Sequence, residues 1–193
     1  YLKRNIGFHM ETKIKYNYQD YLQLSEDKRY EIIDGDLFMV PSPNERHQHI
    51  LSNIFYVLFD YVRKNKLGAV YCAPFDILFS EEDIVQPDII FVSNKNKKII
   101  TKDNIQGTPD LLVEILSPGT SKRDLGIKKK LYAKNGVREY WIVDPAQETI
   151  EVLNLKEGEF RGKSYNTGVV GQTSRLSSPV IQGFDIDIKE IFV

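Results

Sequence analysis

The chain lacks several things that would point directly to a function. Its 193 residues include one cysteine, Cys72, and three histidines. A lone thiol excludes an internal disulfide framework and any thiolate zinc cluster, and three scattered histidines do not make a histidine-rich metal site. Net charge is -1, so no overall basic field marks a nucleic-acid partner, and any attraction to phosphate has to come from a local patch. There is no run of roughly 18 apolar residues and no signal-peptide pattern, which makes a cytoplasmic location the default expectation. What is present is ordinary: 41% hydrophobic and 27% charged residues, a composition that argues against disorder. The length suits one domain with a substantial core. The opening residues YLKRNIGFHM look like a leader joined near Met10, so residues 1–9 are set apart and 10–193 are read as a single domain.

Periodicity and turn chemistry divide that domain. YQDYLQL (18–24) suits a short helix, and RYEIIDGDLFMV suits a hairpin turned by Asp34-Gly35. Ser42-Pro43-Asn44-Glu45 predicts a helix start with Ser42 as N-cap, Pro43 at the first helical position and Glu45 closing a capping box. The helix that follows places Ile50, Leu51, Ile54, Phe55, Leu58 and Val62 on one face. His47 and His49, two apart, do not share a face; they are first-turn polar residues, with His47 able to edge a cleft.

AVYCAPFDILF and DIVQPDIIFVS read as strands around a polar turn at Ser80–Asp83. Residues 93–106 form a lysine-rich connection with a short helix near its end. DLLVEIL, bounded by Pro109 and Pro118 and without clean alternation, reads as a central strand covered on both faces. A helix over Ser121–Asn135 capped by Gly136, strands REYWIVD and ETIEVLNL, a weaker strand at 168–174 and a helical turn in IDIKEIF complete an α/β domain with a mixed sheet.

Three carboxylates interrupt these apolar strands: Glu31, Asp88 and Glu114. Each alone also fits a salt bridge at a strand end, a cap or an edge position facing water. A buried, unpaired carboxylate is costly, however, and is resolved by a raised pKa, a partner or a metal. Two of them on neighbouring strands would favour a hard cation, and oxygen-only ligands select Mg²⁺ or Mn²⁺. Asp110, at the exposed entrance of its strand, suits a structural role. The helix KRDLGIKKKLYAK supplies positive charge: Ile127 and Leu131 mark its buried stripe, Lys128 flanks it, and Lys129 and Lys130 suit a solvated face.

QPDII, VEILSPGTSKRDLGIKKKLYAKNGVREYWIVDP, RYEIIDGDL, PSPNERHQHI and APFDILF together resemble the Uma2 family over about Tyr18 to Leu155. That family is similar in fold to the restriction-endonuclease-like PD-(D/E)xK nucleases. The resemblance implies a mixed β-sheet flanked by helices and a metal-dependent endonuclease acting on DNA. It implies Asp88 and Glu114 as the motif's acids, with the carbonyl of Ile115 as a third metal ligand. Glu31 falls on the acidic position of the early hairpin. The motif's lysine should lie two residues after Glu114, where this chain has Leu116; Lys128, on the following helix, matches the place it takes in Uma2-like chains. Lys122, Arg123, Lys129 and Lys130 are the expected contacts to the nucleic-acid backbone, and a homodimer is the expected assembly. The rival expectations are a non-cleaving nucleic-acid-binding or oligomerising module of the same fold, and a phosphohydrolase acting on nucleotides or small phosphoesters.

Overall fold

Two prolines decide how the strands are shared between sheets. The computed structural model of the chain describes residues 14–25, 27–167 and 174–193; the expected leader and all but Ser174 of the expected strand at 168–174 lie outside them. Each of the two long strand-like runs breaks at a proline, which has no N–H to give a ladder. AVYCAPFDILF becomes β3 (Gly68–Cys72) and β4 (Ile77–Ser80), separated at Ala73-Pro74. DIVQPDIIFVS becomes β5 (Asp83–Val85) and β6 (Ile89–Ser93), separated at Gln86-Pro87. In both cases the chain passes from one sheet to another at the break.

The early hairpin is β1 (Arg29–Ile33) and β2 (Asp36–Val40). Its turn residues Asp34 and Gly35 have φ of 51° and 70°, the left-handed pair that a type I′ turn requires. With β7 (Ile105–Gln106) these strands form a five-stranded sheet in the order β2-β1-β5-β4-β7. The larger sheet adds β8 (Leu111–Ile115), β9 (Glu139–Asp144), β10 (Thr149–Lys156) and β11 (Glu159–Asn166) in the order β11-β10-β9-β8-β6-β3. Strands β8 and β9 run parallel and the other neighbours in this sheet antiparallel. A small pair, β12 (Arg175–Ser177) and β13 (Asp185–Asp187), precedes the closing turn α5 (Lys189–Phe192).

Helix α1 (Tyr18–Tyr21) is a single turn, closed by a capping box between Asn17 and Asp20. Helix α2 (Glu45–Lys64) starts later than expected. Its N-cap is Asn44, whose Oδ1 accepts from His47 N at 2.9 Å; Ser42 stands two residues too early to reach that amide. The side chains Ile50, Ile54 and Leu58 are fully buried against one face of the larger sheet, together with Phe91, Val113 and Trp141. Burying each such side chain stabilises the fold by roughly 1.5–3 kcal/mol. The opposite face, carrying Ile90, Val92 and Leu112, packs on the smaller sheet and on Leu131 and Tyr132. Strand β8 is therefore buried on both faces, as its sequence predicts. Asp110 is buried rather than at an exposed entrance, and its carboxylate accepts from Ser93 N and Asn96 Nδ2, which ties down the connection after β6.

After β8 comes a continuous helical stretch in three parts: α3 (Ser121–Arg123), a π-helical segment over Asp124–Lys128, and α4 (Lys129–Lys134). Gly136, with φ of 79°, follows as the expected left-handed C-terminal residue. The wide π turn inserts a residue and changes the phase of the helix face. Ile127, expected in the buried stripe, is 40% exposed, and Lys128 is buried in its place. Among the described residues no helix is long and apolar enough to cross a membrane.

Candidate functional site

The crossover at Gln86-Pro87 delivers Asp88 to the start of β6. Since Ile89 pairs with Val113 in the antiparallel β6–β8 ladder, one further step of the register sets Asp88 opposite Glu114. By strand alternation both lie on the face of Ile90 and Leu112, toward the smaller sheet. Asp88 Oδ2 accepts from Ile115 N at 2.7 Å and lies 3.3 Å from His47 Nε2. The Ile115 backbone also favours the protonated His47 ring.

Glu114 meets two groups from the helical stretch. Its Oε1 is 2.7 Å from Lys128 Nζ and accepts from the Tyr132 hydroxyl at 2.6 Å. Lys128 Nζ also sits 2.8 Å from Glu31 Oε1, which accepts from Gln86 N at 3.0 Å. Asp124, one turn before Lys128, brings its Oδ1 to 3.6 Å from the same ammonium. One buried cation is thus faced by three buried carboxylates from three different elements, with Asp88 beside them. The four acids together with Arg29, His47 and Lys128 line a cavity of about 40 Å³.

Burial is the largest influence on the charges here. It pushes the Glu114 carboxyl well above the ordinary carboxylate range; the Lys128 ammonium pulls the other way, and Asp124, Asp88 and Glu31 add to the rise. Asp124 is raised for the same reasons. Burial would lower Lys128, but the charges of Glu114, Glu31 and Asp124 outweigh it and hold the side chain as an ammonium. His47 follows the same pattern: burial pulls its pKa down, and the hydrogen bond and charge of Asp88 carry it above the usual value. The Lys128 and His47 shifts record the surrounding carboxylate charge, whereas the Glu114 and Asp124 rises come first from burial.

Among the described residues no three His, Cys, Asp or Glu side chains form a ready metal cage. A magnesium ion does not need one, because it keeps several waters and takes one or two carboxylates. The donor set fits such an ion: facing carboxylates at Asp88 and Glu114 and the nearby Ile115 carbonyl. Asp124 Oδ1, His47 Nδ1 and Gln86 Oε1 are buried without a hydrogen-bond partner among the described residues, and all three residues line this cavity. Buried polar atoms left over at one place indicate room for a polar occupant.

Four residues singled out from sequence, Glu31, Asp88, Glu114 and Lys128, converge here, as does Ile115. Of the basic residues expected at a nucleic acid, Lys122 and Lys130 are exposed and Lys129 is partly exposed. Arg123 turns inward, its guanidinium 5.1 Å above the Phe38 ring and its Nε 3.9 Å from Glu31 Oε2. Asp124 escapes sequence reasoning, whereas His47, read as able to edge a cleft, lines the cavity. For His47 a signal exists: it lies three residues before Ile50 and seven before Ile54, on the buried face of α2. Glu139 in β9 was also missed, but it has a structural explanation. Its buried carboxylate accepts from Trp141 Nε1, Ser178 Oγ and Val180 N, away from the cavity.

An α/β fold of this kind, with an acid pair on adjacent central strands and a lysine brought beside them, is that of the restriction-endonuclease-like proteins. The chain belongs to the Uma2 family, whose model, described as a putative restriction endonuclease, matches residues 18–189. Its fold is similar to that of a solved structure from Anabaena variabilis ATCC 29413, described as a putative nuclease belonging to DUF820. The TM-score is 0.75 at 20% identity, over 91% of this chain and 97% of that one. A search among curated proteins finds no match.

Proposed function

We propose that the protein is a divalent-metal-dependent endonuclease that hydrolyses DNA phosphodiester bonds. The observation that carries this reading is the place of Lys128. The motif's lysine is missing at Leu116, yet an ammonium from the following helix stands 2.7 Å from Glu114. In this reading Asp88, Glu114 and the Ile115 carbonyl hold Mg²⁺ or Mn²⁺. When bound, such an ion polarises the phosphate and lowers the pKa of a bound water. Lys128 stabilises negative charge developing on the phosphate. Glu31 and Asp124 hold Lys128 in place, and Glu31 would also help to orient the attacking water. His47 fixes the orientation of Asp88. Lys122, Lys129 and Lys130 contact the nucleic-acid backbone, which makes binding strongly salt-dependent. Arg123 joins them by leaving Phe38. A homodimer, the commonest symmetric oligomer, stays the proposed assembly.

A plasmid-nicking assay with Mg²⁺ or Mn²⁺ tests the reading against Asp88→Ala and Glu114→Ala. Metal-dependent nicking that falls at least about 10²-fold in both variants supports it. One observation favours a second reading, a non-cleaving nucleic-acid-binding module: the Lys128 ammonium is already paired with both Glu31 and Glu114. Three equally inactive proteins that all bind DNA would establish that reading instead.

A further inference from the structure

A second cleft, of about 390 Å³, adjoins the acid–lysine cavity, and Ser117 lines both. Its volume falls within the roughly 300–1,000 Å³ of ligand sites. It opens beyond the carboxyl ends of β8 and β9, the only parallel neighbours in the larger sheet among the described residues, where α/β sheets place their ligands. Leu116, Pro118, Pro145 and Ala146 give it apolar surface, and Asp144, whose carboxylate accepts from Ala146 N and Gln147 N, also lines it. Two helical stretches begin at it: Asn44 and Arg46 come from the start of the 20-residue α2, and Ser121 begins α3. The amino end of α2 favours an anion nearby. Arg46 adds little freedom of its own, because its guanidinium is held by Glu148 and by the Phe192 carbonyl.

The neighbouring cavity is narrow, and the groups at its base are nearly inaccessible, with Glu114 4% and Lys128 3% exposed. A duplex carries its phosphates on the outside of a stiff rod and keeps its bases stacked within, so neither reaches deep or separate pockets without unstacking. A single strand can bend a phosphate inward and lay the adjoining base on an apolar surface. We propose, resting on the nuclease reading above, that the cleft seats an unpaired nucleobase next to the phosphate held at the acid–lysine cavity, so that the preferred substrate is single-stranded or locally unpaired DNA. Leu116 then has a positive role: where the motif lysine is missing, the chain supplies an apolar floor for the base.

The test is anisotropy binding of the full chain in EDTA to three probes of equal length: a thymidine strand, a hairpin duplex and an abasic strand with the same phosphates. The thymidine strand should bind about tenfold tighter than the other two, the scale of one stacked base. Ala146→Trp, an exposed rim position outside the acid–lysine cavity, should weaken thymidine-strand binding about tenfold and leave hairpin binding unchanged. Equal affinity for the thymidine and abasic strands, or unchanged or tighter strand binding by Ala146→Trp, overturns the inference. Metal-dependent cleavage is read separately on the same strand and hairpin. Strand binding as expected with no cleavage of either probe removes the nuclease reading alone. Cleavage of the hairpin as fast as the strand overturns the inference and leaves that reading standing.

Discussion

Replacing Lys128 with methionine keeps the length of the side chain and removes its charge. In the native protein Nζ lies 2.8 Å from Glu31, 2.7 Å from Glu114 and 3.6 Å from Asp124, and the Lys128 side chain is 4% exposed. Lys128→Met therefore leaves three buried carboxylates without their shared cation. Breaking a buried ion pair by removing one partner destabilises by about 3–5 kcal/mol, a large part of the 5–15 kcal/mol that holds a typical domain together. The loss should depend on pH. Burial already raises Glu114 and Asp124 above their unfolded values near 4, and removing the ammonium raises them further. A carboxyl with a raised folded pKa contributes stability below its unfolded pKa, and that contribution is lost as pH rises through the folded value. The defect of Lys128→Met should thus be small near pH 4 and grow toward neutrality. Trp141, the single tryptophan, is fully buried and reports unfolding by fluorescence in urea titrations. A double-mutant cycle with Glu114→Gln should show that the two losses do not add, because the second substitution removes one of the stranded charges. A cost below about 1 kcal/mol at pH 7, the scale of an exposed ion pair, or additive losses in the cycle, would refute the reasoning.

Glu139→Gln sets an amide N–H₂ against groups that donate to the native carboxylate, and should destabilise by about 1–3 kcal/mol. Burial raises the Glu139 pKa despite those donors, so the contribution of this group to native stability falls as pH rises above about 4; the gap between variant and native protein in urea melts should be widest near pH 4 and narrow toward pH 7. Asn44→Ala removes the acceptor for His47 N and should lower stability by about 1 kcal/mol in the same assay. Adding Mg²⁺ at about 100 times its dissociation constant should stabilise the native protein by about 2.7 kcal/mol in calorimetry, and Asp88→Asn should remove most of that gain. An equal gain in Asp88→Asn would place the ion elsewhere.

Local chemistry made much of this molecule legible in its sequence. Asp34-Gly35 dictates its turn because few other residue pairs tolerate two positive φ angles. The apolar spacing from Ile50 to Val62 fixes the buried face of α2, and the unbroken apolar run around Glu114 announces a strand covered on both faces. A charge in that run has to be answered by something, so Glu114 stands out in the sequence. What stayed hidden depends on hydrogen bonding and topology. Whether a helix turns by α or π pitch is decided by which carbonyl each amide reaches, and the π turn at Asp124–Lys128 exchanges Ile127 for Lys128 in the interior. Two prolines divide runs that look continuous and send their halves into different sheets. Glu139 resembles the site acids in sequence and differs only in the donors that tertiary packing sets around it. The meeting of residues 31, 88, 114 and 128 is likewise a product of strand order and crossover. The order of residues along the chain fixes which charges have to be answered. That one lysine answers three of them follows from packing, because contacts between residues distant along the chain exist only once the sheets have come together.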